Sequence, residues 1–93
     1  MGEIRGAEGG LAVDSERYRE EVRRLVAEVL HLAPEQVHDG LSFGDVPEWD
    51  SLGHMDLLMT LEGRYGVPLD EEMIARLVTI DAICREIAER QHA

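Results

Sequence analysis

Trp49-Asp50-Ser51-Leu52-Gly53-His54-Met55-Asp56-Leu57-Leu58-Met59-Thr60-Leu61-Glu62 is the stretch in which this chain changes character. Up to Asp50 the sequence is irregular and acidic; directly after it, apolar residues recur at helical spacing. Asp is a favoured N-cap, because its carboxylate accepts the otherwise unpaired N–H groups of a first helical turn. Ser51 then falls at the first helical position, with its hydroxyl at the helix mouth. A phosphate ester on that oxygen would sit at the positive end of the macrodipole, beside free backbone donors.

Downstream, the pattern predicts a helix from Ser51 to about Tyr65. Gly66 is placed to end it in a left-handed conformation, and Pro68 prevents its resumption. Leu57, Leu58, Leu61 and Tyr65 read as core, while Leu52, Met55 and Met59 fall on a face turned partly outward. Asp70 is the expected cap of a short helix, Glu71 to about Arg76. Thr79 is the expected cap of a last one, Ile80 to about Arg90, with Ile80, Ile83 and Ile87 as its buried stripe.

Upstream, Leu32 to Asp50 reads as a long connection, and loops of that length in compact domains are usually functional. Pro34 can start a single turn there, and Val37, Leu41, Phe43 and Val46 read as separate pins to the core. Before it, Asp14 or Ser15 can cap a first helix running to about His31. Val22, Leu25, Val26 and Val29 give it one buried stripe. Its other face balances Glu16, Glu20, Glu21 and Glu28 against Arg17, Arg19, Arg23 and Arg24, as a solvated outer wall would. Residues 1–14 read as a flexible, glycine-rich tail and residues 15–91 as the folded domain. Nothing alternates with period two. The expected fold is all-α: a small four-helix bundle of three longer helices and one short one, with a long loop between the first two.

Ninety-three residues make one small domain with no room for a large enclosed active site. The net charge of −11 argues against nucleic acid and anionic membranes as partners and for basic protein surfaces. Between Glu35 and Glu72, ten acidic residues face one base, Arg64, so nine of the eleven excess negative charges lie there. Such a face steers basic-surfaced partners toward Ser51 and speeds encounter without tight binding. One cysteine, Cys84, excludes an internal disulfide and suits a reducing cytoplasm. No apolar run reaches membrane-spanning length. The histidines are scattered, so no metal site is legible. All nine basic residues are Arg, in keeping with a high-GC bacterial source.

Asp50-Ser51-Leu52, followed by Met55, Leu57, Leu58, Met59, Leu61 and Glu62, resembles the 4′-phosphopantetheine attachment helix of acyl carrier proteins. The likeness runs from about Tyr18 to Ile87. It implies that Ser51, with Asp50, Leu52 and His54 as neighbours, bears a phosphopantetheine arm donated by coenzyme A. The arm ends in a thiol that tethers acyl groups as thioesters. The resemblance also implies a phosphopantetheinyl transferase and acyl-loading, condensing or modifying enzymes as partners. They would dock on Trp49, Leu52, Met55, Asp56, Met59 and Glu62 of a monomeric, cytoplasmic, non-enzymatic carrier. The acid before the serine is similar to acyl rather than peptidyl carriers, which usually have Gly-Gly-His-Ser. Trp49 and Gly53 depart from the housekeeping fatty-acid pattern and point to a specialised polyketide or hybrid pathway. A peptidyl or aminoacyl carrier and an unmodified acidic adaptor are the alternatives.

Several of these residues carry a second reading. Asp50, Ser51 and His54 invite a hydrolase, but a helical serine with no sheet beneath it lacks the strained elbow and oxyanion hole. His54, one turn beyond Ser51, is expected as an exposed side chain or as a donor to the phosphate. Gly53 lowers helix propensity and leaves the approach to the serine uncluttered. Trp49 is either packed against the loop or exposed as a partner anchor.

Overall fold

The computed structural model describes the backbone of residues 2–92 and the side chains of residues 16–91. Four helices follow in order: α1 (Gly2–Leu30), α2 (Ser51–Tyr65), α3 (Glu71–Arg76) and α4 (Ile80–His92), with a 3-10 turn at Pro34–Gln36 in the long loop. No strand occurs among the described residues. A single antiparallel bridge joins Ser42 to Thr79. The expected bundle and loop are as the spacing predicts.

α1 starts at Gly2, upstream of the expected caps Asp14 and Ser15. No proline interrupts residues 2–30, and a helix nucleated on a packed stripe propagates at little cost per residue. The expected tail, residues 1–14, lies outside the residues whose side chains are described. The stripe of Val22, Leu25 and Val26 is buried as expected, with Val29 only partly covered and Leu30 joining it.

α1 ends without glycine. His31 takes φ +59°, its N–H donates to Glu28 O, and the Leu32 N–H donates to Ala27 O at 2.9 Å. That pair of bonds is the Schellman closure, here with a side chain in the left-handed position. Leu32 is buried by the resulting turn.

α1 packs most extensively on α4, whose Ile80, Ile83, Cys84 and Ile87 are fully buried. The charged face of α1 is less solvated than expected. Arg23 Nη1 donates to Asp39 Oδ1 at 2.8 Å, and Arg19 Nη2 to Asp81 Oδ1 at 3.2 Å, because the loop and α4 bring those acids alongside. Pairs this exposed contribute little each, about 0–1 kcal/mol. Glu86 is buried; it accepts from Arg76 of α3 and Arg90 of α4, both at 2.6 Å, and so ties the short helix to the last one.

The cap residues stand where the sequence puts them. Asp50 Oδ1 accepts from Gly53 N–H, Asp70 Oδ1 from Met73 N–H, and Thr79 Oγ1 from Ala82 N–H. Gly66 ends α2 at φ +75°. The loop pins Val37 and Leu41 into the core but leaves Phe43 40 % exposed. Backbone bonds hold that segment instead, Phe43 N–H to Val78 O and Ile80 N–H to Leu41 O, fixing the loop against the α3–α4 connection.

Candidate functional site

The first turn of α2 is set by three residues that differ in what they need. Asp50 is extended (φ −104°, ψ −168°); its carboxylate takes the Gly53 N–H at 2.9 Å and its carbonyl takes the His54 N–H at 2.8 Å. Ser51 follows as the first helical residue and is exposed. Leu52 beside it is 74 % exposed, an unusual placement for leucine. One turn on, Met55 is half-buried, and Asp56, Met59 and Glu62 are exposed along the same helix.

His54 does not behave as expected. It is buried, and both ring nitrogens are occupied inside the protein. Trp49 Nε1–H donates to His54 Nδ1 at 3.0 Å, which assigns the ring hydrogen to Nε2, 2.8 Å from the Ile74 carbonyl of α3. This tautomer satisfies both partners at once. It has no nitrogen to offer Ser51, so neither a hydrolytic base nor a donor to a phosphate exists there. The physical reason is Trp49, which occupies N′ while His54 occupies N4. Those two positions face each other across a helix start, and apolar pairs commonly staple them. Here the staple is a hydrogen-bonded one.

Trp49 itself is fully buried, which removes it from the expected partner-docking set. A ring of this size buries on the order of 150–250 Å², so exposing it would leave much of the loop unsupported.

Gly53 also has a different reason. A Cβ on it would stand 2.3 Å from Glu48 O and 2.9 Å from Leu30 Cδ2. The helix start, the loop and the end of α1 meet at that point, and only a residue without a side chain fits. Its use is inward packing rather than outward clearance.

Two hollows flank Ser51. One, of about 300 Å³, is lined by Phe43, Ser51, His54, Met55, Ile74 and Val78. The Phe43 and His54 rings meet edge to face in it, centroids 5.2 Å apart. The other, of about 240 Å³, lies toward the end of α1 among His31, Glu48, Leu52 and Asp56. Sequence reasoning missed Phe43, Ile74 and Val78 as neighbours of the serine, since the Phe43–Val78 backbone bond and the His54–Ile74 hydrogen bond that bring them there leave no mark in local spacing. Of the ten acids between Glu35 and Glu72, Asp39 is taken up by Arg19 and Arg23, whereas Glu48, Asp50 and Asp56 stand exposed around the mouth of α2 and Glu62 is exposed toward its far end. A serine in solvent at a capped, positive helix end, beside an apolar hollow, suits a covalently held phosphate ester with an apolar load.

No described helix is long and apolar enough to cross a membrane. The family described as the phosphopantetheine attachment site matches residues 20–87. The chain is similar to the acyl carrier protein of Chlamydia muridarum, 30 % identical over 73 residues that cover 78 % of this chain and 95 % of that one. It is 34 % identical to that of Thermosynechococcus vestitus over 64 residues (69 % and 79 % of the two chains) and to that of Rhodopseudomonas palustris over 61 (66 % and 77 %). With the match running through all four helices and across the Asp50-Ser51-Leu52 turn, the chain belongs to the acyl carrier proteins, whose attachment domain carries a covalent 4′-phosphopantetheine.

Proposed function

We propose that Ser51 is the attachment residue and that residues 15–91 form a cytoplasmic carrier serving a specialised polyketide or hybrid pathway. The observation that carries the assignment to Ser51 is its exposure at the capped N-terminus of α2, next to the apolar hollow. The arm supplies a terminal thiol that holds an acyl group as a thioester. The protein's own residues perform no step on that group. Asp50 fixes the first turn, so the Ser51 hydroxyl points from a rigid helix end rather than a loop. Leu52, Met55 and Met59 offer apolar contact and Asp56 and Glu62 negative charge to basic-surfaced enzymes, the phosphopantetheinyl transferase first among them. Exposed acids speed encounter while adding little affinity, which suits a protein that must leave each partner quickly.

The specialised pathway rests on the two departures around the serine. Both have structural work: Trp49 builds the hydrogen-bonded staple and Gly53 admits Glu48 O. The acid at Asp50 favours an acyl over a peptidyl cargo.

Incubation with coenzyme A, Mg²⁺ and a phosphopantetheinyl transferase, followed by intact-mass measurement, tests the assignment. A gain of one phosphopantetheine that Ser51→Ala abolishes is the expected result. A wild-type chain inert to several transferases would point instead to an unmodified adaptor.

A further inference from the structure

The 300 Å³ hollow beside Ser51 has one wall unlike the others. Phe43, Met55, Ile74 and Val78 are apolar, and Met55 is the most adaptable of them. His54 is the exception. Its Nδ1 is held by the Trp49 indole and its Nε2–H by the Ile74 carbonyl, so the ring is fixed from the loop on one side and from α3 on the other. Trp49, which does not line the hollow, stands behind it and is continuous with the main core. A chain growing from Ser51 toward the core would have to displace this ring. That would orphan a buried indole N–H and a backbone carbonyl together, and buried groups left unpaired are costly.

We propose that the Trp49–His54–Ile74 relay closes the inner end of the hollow, making His54 a specificity-determining residue that admits compact acyl groups and turns long unbranched ones out into solvent. The inference rests on the reading that Ser51 carries the arm. The lining favours a flat or branched group: the Phe43 and His54 rings meet edge to face in the hollow, and Met55 can close over a ring. A long alkyl chain finds no continuation past His54 and gains nothing by entering.

The test uses a phosphopantetheinyl transferase and Mg²⁺ to load the full chain with benzoyl-, isovaleryl-, octanoyl- and hexadecanoyl-phosphopantetheine from the corresponding coenzyme A thioesters, adenosine 3′,5′-bisphosphate leaving. Cleavage of each thioester by hydroxylamine is followed by mass and compared with the same acyl group on free pantetheine. In the wild type the benzoyl and isovaleryl thioesters should be cleaved at least about threefold more slowly than free, and the two long ones within about twofold of free. His54→Val removes both hydrogen bonds and opens the inner end, so the octanoyl thioester should become the protected one. Loss of stability alone would not reorder the series by shape. Should His54→Val lose its helical circular dichroism, Trp49→Phe decides the matter: it keeps a ring in place, frees His54 Nδ1, and should move protection toward octanoyl. Equal protection of octanoyl and benzoyl in the wild type, or an unchanged order in the folded variant, overturns the proposal. Absence of any mass gain at Ser51 is a different failure, bringing down the attachment reading and this inference with it.

Discussion

The first turn of α2 has two edges that share a backbone and little else. On the outer edge Asp50, Ser51 and Leu52 stand in solvent, and the geometry there asks only that the cap be made. On the inner edge, within the same turn, Gly53 lies against Glu48 O and Leu30, and His54 is held between Trp49 and Ile74. The difference separates two duties. The outer edge is available for chemistry because nothing packs on it, and the inner edge keeps it still because everything does. Substitutions should therefore divide by edge, large in stability and modest in loading on one side, the reverse on the other.

The largest effect is expected at Trp49. Trp49→Ala removes a fully buried ring and leaves His54 Nδ1 without its donor, a loss of about 3–5 kcal/mol by urea denaturation. Ser51→Ala should change stability by no more than about 0.5 kcal/mol while abolishing phosphopantetheine transfer. If the two variants unfold at the same urea concentration, the edges are not distinct.

Glycine offers a sharper cut, because α2 contains one on each kind of surface. At Gly63 an added methyl meets nothing within 4 Å. Gly63→Ala should gain about 0.5–1 kcal/mol from helix propensity alone. At Gly53 the same methyl falls 2.3 Å from a carbonyl oxygen of the loop. Backbone cannot swing aside as a side-chain tip can, so Gly53→Ala should lose roughly 1–3 kcal/mol despite the better propensity. Opposite signs from one substitution in one helix would confirm that inward contact, not openness, keeps Gly53 bare. Matching signs would remove the inner edge's claim on that residue.

These pairs also mark what the sequence makes legible. The starts of α2, α3 and α4 and the end of α2 could be placed because each carries a chemical marker that acts locally: Asp50, Asp70 and Thr79 accept from an N–H three residues on, and Gly66 takes a positive φ. The exposed place of Ser51 at the start of α2 is legible for the same reason, being next to its cap. His54 was not, since its environment is decided by Ile74, twenty residues away, and by the loop that delivers Trp49. The one local clue was positional: Trp49 and His54 occupy the N′ and N4 sites of the cap, where residues meet. Gly53 was misread because an exposed neighbour such as Leu52 says nothing about what crosses behind the backbone. The buried Glu86, held by Arg76 and Arg90, was equally hidden, as one of its partners lies on another helix.

The end of α1 adds a smaller test, bordering the second hollow near Ser51. His31 holds φ +59° where glycine would be unstrained. His31→Gly should raise the melting temperature, by an amount equivalent to about 0.5–1 kcal/mol, since relief of the left-handed strain outweighs the added freedom of the unfolded chain. No gain would mean that the side chain itself contributes at that corner.

The smallest effect should appear at the far end of α2, where the helix is neither reactive nor crowded. Tyr65 is half-buried, and its hydroxyl donates to Glu21 of α1. Burial, and then that hydrogen bond to a carboxylate, push its pKa up from 10.0 to about 12. The folded state thus favours the neutral phenol. The contribution is fully present below pH 10 and is lost as pH rises through about 12, where a phenolate would face the Glu21 carboxylate. Wild-type stability should accordingly decline across that window, with phenolate absorbance of the native protein delayed relative to the urea-unfolded chain. Tyr65→Phe should flatten the decline without touching phosphopantetheine transfer at neutral pH. A Tyr65 that titrates no higher than in the unfolded chain would mean that the α1–α2 contact at this end is not holding the proton, and that the stillness of Ser51 depends on the inner edge of the first turn alone.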